Sequence, residues 1–175
     1  MARQISFSGQ QPLLPQIFEH HTETEKALRR YFSSPANIER LTGYTEAEVL
    51  EQLDLRLAEL DRSDTLTLFA AIEALFKIDF TLRATDTTQD DLTRAFQILH
   101  EKKGPRVSLD KEIFEEWKKH TTMSKKVLGQ LKAAFHYRDW LAHGRYWIPN
   151  LGQQYDYQSI AALAQIVDDQ FPLLR

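Results

Sequence analysis

The stretch "HYRDWLAHGRYW", His136 to Trp147, gathers two histidines, two arginines, one aspartate and two tryptophans into a single short run. Histidine is the side chain whose ordinary titration falls near neutral pH, so an imidazole can take or give a proton in a reaction. An arginine never loses its charge and offers parallel N–H donors that match an anion such as phosphate. Proton transfer beside a fixed cation is therefore the chemistry these residue types could perform.

Their spacing limits how they could do it. At roughly 100° per residue, Arg138 follows Val127, Leu131 and Ala134 on the inward stripe of a helix that also carries Phe135, Leu141 and Ala142. A guanidinium there needs a carboxylate, the end of the bundle or a ligand. His143 lies five steps on, roughly 140° round an ideal helix. The two converge on one atom only if the helix stops near His143 or a second subunit contributes. His136, Asp139 and His143 share a face at spacings of three, four and seven. Two imidazoles and a carboxylate could hold a divalent ion. No fourth ligand suggests itself, and accepting a hydrogen bond from His143, which fixes the tautomer of that ring, is the better use of the Asp139 carboxylate. Glu73 and Lys77 stand four apart inside the apolar run "AAIEALFKIDF", where buried ionic groups need partners, and Arg138 is the candidate to meet Glu73.

The elements that position these residues read as helices throughout. Residues 1–15, with Pro12 and Pro15, form an irregular arm, and residues 16–175 form one helical domain. A first helix runs from Gln16 to Phe32, and Pro35 opens a short helical turn ending near Gly43. Thr45 and Glu48 are spaced as a capping box for "TEAEVLEQLDLRLAEL", with Val49, Leu53, Leu57 and Leu60 as its apolar stripe. Ser63 or Asp64 then caps "TLTLFAAIEALFKIDFTLR", apolar on most sides and so the central helix of a bundle. "TTQDDLTRAFQILHEKKG" places acids first, lysines last and Gly104 as its stop. Ser108 begins "LDKEIFEEWKKH", "SKKVLGQLKAAFHYRDWLAH" carries the motif to Gly144, and "QSIAALAQIVDDQF" buries Ile160, Leu163, Val167 and Phe171. The fold class is all-α.

Composition excludes several alternatives. An apolar fraction of 42% and a charged fraction of 27% are ordinary for a globular chain. Without cysteine there is no disulfide, thiolate zinc site or thiol nucleophile. No apolar run approaches the ~20 residues that cross a bilayer, and the expected location is cytoplasmic. The net charge of −3 hides an asymmetry: residues 1–100 carry 10 Lys/Arg against 16 Asp/Glu, residues 101–145 carry 11 against 6. A local basic face can bind phosphates on an acidic chain, although lysines 102, 103, 118, 119, 125 and 126 also suit solvated helix faces.

The segment "RDWLAH" resembles the R-x4-6-H motif of HEPN-domain proteins, in which Asn, Asp or His commonly follows the arginine, and Glu73 with Lys77 looks like the E-x3-K element of some branches. The resemblance implies an all-α, HEPN-like bundle of about five to seven helices. It implies a metal-independent, cofactor-free endoribonuclease acting as a toxin or in antiviral defence, typically as a homodimer with two Arg/His sets facing one cleft. Arg138 and His143 would be the catalytic pair, Asp139 the orienting residue, and Glu73 and Lys77 their support. RNA brings its own nucleophile, the ribose 2′-hydroxyl, and the products would be a 2′,3′-cyclic phosphate and a 5′-hydroxyl. His136, Arg145, Tyr146 and Trp147 are the further candidates for RNA contact, the aromatic rings by stacking on bases. A toxin of this kind has a separate antitoxin or regulatory protein. Family members paired with a nucleotidyltransferase antitoxin often carry a tyrosine two residues after the histidine, whereas Tyr146 stands three after His143. The alternative is a non-catalytic HEPN-like module that binds RNA, nucleotide or a protein partner through the same cleft.

Overall fold

The computed structural model describes residues 7–33, 41–88 and 90–175. Six α-helices account for most of them: α1 (Leu14–Ser33), α2 (Glu46–Thr85), α3 (Asp91–Lys103), α4 (Phe114–His120), α5 (Lys125–Ala142) and α6 (Tyr157–Gln170), with a π-helical turn (Leu109–Ile113) leading into α4. No strand occurs among the described residues, and none of their helices is long and apolar enough to cross a membrane. The all-α expectation holds. The helical turn expected after Pro35 falls largely on residues 34–40, outside the described residues. Residues 7–13 are non-helical, and α1 begins at Leu14, two residues before Gln16, because Pro15 fits the first turn of a helix without loss.

One boundary differs from the sequence reading. The two helices expected on either side of Ser63 and Asp64 are a single α2 of 40 residues, ~60 Å long at 1.5 Å per residue. Neither residue caps anything. The Ser63 carbonyl accepts from the Thr67 hydroxyl, and the Asp64 carboxylate is buried against Nδ1 of His21 on α1 at 2.9 Å. The imidazole also lies 3.6 Å from Asp61 through Nε2 and stacks face to face on Tyr157 of α6, centroids 3.5 Å apart. A polar residue that would start a helix locally here joins three helices instead.

The two halves of α2 meet different surroundings. Val49, Leu53, Leu57 and Leu60 are only half-buried, and burial begins at Asp64. From there the helix is the centre of the bundle, as its apolar circumference requires. Phe76 is fully buried and meets Phe114, Trp117 and Phe171 edge to face at 5.0, 6.1 and 5.5 Å. Phe69 meets Phe135 of α5 at 5.2 Å, and Phe80 meets Phe96 of α3 at 5.0 Å. These T-shaped pairs satisfy the ring quadrupoles and fix the rotation of each outer helix about α2. Ile160, Leu163, Val167 and Phe171 are buried as expected.

The C-terminal segment is clamped to the same helix. Arg83 donates to Asp79 at 2.8 Å, to the Thr93 hydroxyl at 3.3 Å and to the Pro172 carbonyl at 2.9 Å, with its guanidinium 5.6 Å from the Trp117 ring. The Leu174 N–H donates to Asp79 at 2.9 Å. Burial pushes the Asp79 carboxyl above the usual aspartate range despite these donors.

Local rules fix the ends that matter for the site. The Thr45 capping box forms in full, Asp90 caps α3, and Gly104 ends it at φ 61°. Ser124 caps α5 through the Val127 N–H. At its other end Gly144 takes φ 84°, and the Arg145 N–H reaches back to the Trp140 carbonyl at 3.1 Å, the long bond of a Schellman stop.

Candidate functional site

Helix α5 is buried through Leu128, Leu131, Ala134, Phe135, Tyr137 and Leu141. The expected stripe is therefore correct at four positions, while Val127 is half-buried and Ala142 is exposed, because the stripe turns toward Leu128 and Tyr137. Arg138 sits at its edge, its side chain 29% exposed. The guanidinium donates to Glu73 on α2 at 2.8 Å and to its neighbour Asp139 at 3.1 Å, and rests 5.3 Å from the Phe135 ring. These two bonds occupy two of the five N–H groups, leaving three for a ligand. The pairing of Arg138 with Glu73 is the one expected from their inward faces.

Glu73 and Lys77 do not pair with each other, despite their spacing of four. Glu73 is taken by Arg138, and the Lys77 ammonium donates to the backbone carbonyl of Val107. Both side chains line a polar cleft of about 360 Å³ between α2, the π-helical turn and α5. Its further walls include Ser108, Asp110, Lys111, Lys132, His136, Arg138 and Asp139. Sequence reading did not single out Ser108, Asp110, Lys111 or Lys132. The signal available was the basic balance of residues 101–145, but it does not say which lysines face inward. Lys132 is tied to Glu115 at 2.9 Å, while Lys111 is exposed beside the Asp110 carboxylate, which its charge also favours. The Asp110 carboxyl is held below the usual range by the Ser108 hydroxyl at 2.5 Å.

His143 does not line this cleft. It is the last residue of the α5 turn, at φ −96° and ψ 19°, so the face it would share with His136 and Asp139 on an ideal helix breaks at the Schellman stop. His136 and Asp139 line the cleft; His143 projects from the helix end, its ring 6.5 Å from that of Trp147. The expected hydrogen bond to the Asp139 carboxylate does not form, because that carboxylate is held by Arg138. Instead Nδ1 of His143 lies 2.6 Å from the backbone carbonyl of Asp139, which also accepts the His143 backbone N–H at 3.0 Å. A carbonyl only accepts, so Nδ1 carries the proton and Nε2 is the nitrogen left to face a substrate. No group of three metal-ligating residues occurs among the described residues, so the His136, Asp139 and His143 set is not assembled.

The other candidates lie beyond the helix end. Arg145 is not available as a free cation: both of its terminal nitrogens bond Glu59 on α2, at 2.8 and 3.1 Å. This fork holds the residue at φ 59°, a left-handed backbone that costs a non-glycine residue about 1 kcal/mol. Trp140 anchors the tip by donating its indole N–H to the Trp147 carbonyl at 2.7 Å and stacking on Tyr137. Tyr146 meets Trp147 edge-on at 4.8 Å but is itself 85% exposed, and the following Ile148 is 97% exposed. The site is thus two regions joined by one helix turn: a cleft with a fixed guanidinium and several ammonium groups, and a tip with an oriented imidazole and open aromatic rings. Comparison with protein-family models, with curated proteins and with solved structures gave no match, so the likeness to HEPN domains rests on the residues that carry it.

Proposed function

We propose that the chain is a metal-independent endoribonuclease of the HEPN type, a toxin or defence effector acting as a homodimer on RNA in the cytoplasm. The observation that supports this reading is the way the structure prepares Arg138 and His143 separately. Glu73 and Asp139 set a guanidinium that keeps three spare donors, and the Asp139 carbonyl fixes the ring whose Nε2 faces outward. In such a site Arg138 of one copy grips the phosphate oxygens, and His143 of the other takes the 2′ proton and returns it to the leaving 5′ oxygen. A second copy supplies what one chain keeps apart. Lys77 and Lys132 add positive potential, and Tyr146 and Trp147 offer rings to unpaired bases.

One observation favours a second reading, a non-catalytic module that binds RNA or nucleotide. Within a single chain Arg138 faces the cleft and His143 lies outside it. The test is cutting of single-stranded RNA by the purified protein in EDTA, with end-mapping for 2′,3′-cyclic phosphate. Cutting lost in His143→Ala at unchanged helical content supports the nuclease; RNA binding with no cutting by the parent leaves the binding module.

A further inference from the structure

We infer that the apolar cavity between α2, residues 7–15 and the segment after α6 binds an uncharged small molecule with an apolar body and a single hydrogen-bonding group. The cavity shares no lining residue with the polar cleft, and its occupancy does not depend on RNA cutting. The same turns of α2 serve both: Glu73 and Lys77 line the cleft, whereas Ala74 and Ile78, each one residue on, line the cavity. On other sides of this helix Phe76 and Phe80 are fully buried against aromatic rings. On this side Leu75, Ile78 and Leu82 stay half-buried. The helix offers only methyl groups at Ala71 and Ala74, and the facing wall, the non-helical residues 7–13 and Leu174, does not close over them.

The space left is about 550 Å³, within the range of about 300–1,000 Å³ of sites for small organic ligands. Water in so apolar a space lacks the polar partners that would hold it, which favours an apolar occupant. Charge narrows the class. Asp168 and Arg175 are the only ionised side chains of the lining, and they bond each other at 2.5 Å. With those two charges cancelled, a charged ligand would lose its hydration without gaining a counter-ion. One polar group of the lining remains free. Gln11 is half-buried, and its side-chain amide makes no hydrogen bond among the described residues. An amide both donates and accepts, so it suits a ligand hydroxyl or amine N–H.

The experiment is a fluorescence titration of the full chain with a matched pair of dyes that brighten on leaving water. One is 1-anilinonaphthalene, uncharged, with a single N–H; the other is its 8-sulfonate. Saturable one-to-one binding of the uncharged dye is expected, at least ten times tighter than that of the sulfonate. Ala74→Phe, which puts a ring into the open space from a half-buried position, is expected to weaken binding at least tenfold with the melting temperature near the parent's. Ile78→Asp keeps the space but charges its wall, and is expected to weaken binding as much should Ala74→Phe fail to fold. Gln11→Leu is expected to weaken it several-fold. Absence of saturation or equal binding of the two dyes overturns the inference, as does unchanged binding in any of the three variants when folded. Binding that declines as the protein is concentrated assigns the cavity to a second copy of the chain, and overturns it too.

Discussion

If Arg138 and His143 act on one phosphodiester only across a dimer, two inactive variants must repair each other. Arg138→Ala and His143→Ala are each expected to fall below about 1% of parental RNA cutting, since removal of a proton-transferring imidazole costs on the order of 10²–10⁴ in rate and removal of a donor to the developing anion about 10²–10³. Neither change strikes the core. Arg138 is 29% exposed and Glu73 36%, so the abandoned carboxylate can hydrate, and the loss of the pair costs about 1 kcal/mol at most. Mixed in equal amounts and allowed to exchange, the two variants form heterodimers as about half of all dimers. Each heterodimer holds one composite site with both native residues and one with neither. Activity per total protein should therefore recover to about one quarter of the parent's, at least 25 times the level of either variant alone. The assay is cleavage of a fluorescently end-labelled RNA in EDTA, with subunit exchange verified by a mass-tagged copy. Recovery no greater than the average of the two variants, despite verified exchange, refutes the shared site. The separation of the two side chains within one chain would then count against catalysis altogether.

Two further outcomes test the frame that holds the site. Asp64→Ala removes the buried hydrogen-bond partner of His21 and is expected to cost about 2 kcal/mol, since it leaves a buried imidazole nitrogen unsatisfied. Urea unfolding followed by circular dichroism measures it, and a loss under 0.5 kcal/mol would show that the α1–α2–α6 contact does not depend on this pair. The Tyr157 hydroxyl is pushed up to about 12 by burial and then by the charges of Asp64 and Asp61. Because the fold disfavours the phenolate, this contribution to stability is complete below the ordinary tyrosine value of about 10 and is lost as pH rises toward 12. The melting temperature should fall across that window, and Tyr157→Phe should flatten part of the fall. An equally steep fall in the variant would assign it to other groups, Tyr137 first among them.

What could be read from the sequence was whatever depends on neighbours along the chain. The Thr45 capping box, the Asp90 and Ser124 caps and the Gly104 and Gly144 stops follow from local donors, acceptors and positive φ. The central position of the second half of α2 follows from a circumference apolar on most sides. The meeting of Arg138 with Glu73 was also legible, since two inward-facing ionic groups on neighbouring helices have few other choices. Contacts distant in the chain were not legible. Asp64 reads as a cap until His21 arrives from 43 residues away, and nothing near Arg83 or Asp79 in the chain announces that the Pro172 carbonyl will meet the first and the Leu174 N–H the second. The same limit separates the lysines. Those at 118, 119, 125 and 126, conspicuous as pairs, are exposed. Lys111 and Lys132, isolated among other residue types, line the cleft because the π-helical turn and α5 are packed against α2 through Ile113 and Leu131. The decisive detail lies at the boundary between the two kinds of information. Gly144 announces that α5 ends, but only the resulting dihedral angles at His143 decide that its ring caps the Asp139 carbonyl rather than joining His136 over the cleft. One residue of additional helix would have put that imidazole back on the face of His136 and Asp139, yet still roughly 140° round from Arg138, so either geometry asks for a second subunit to bring the two together.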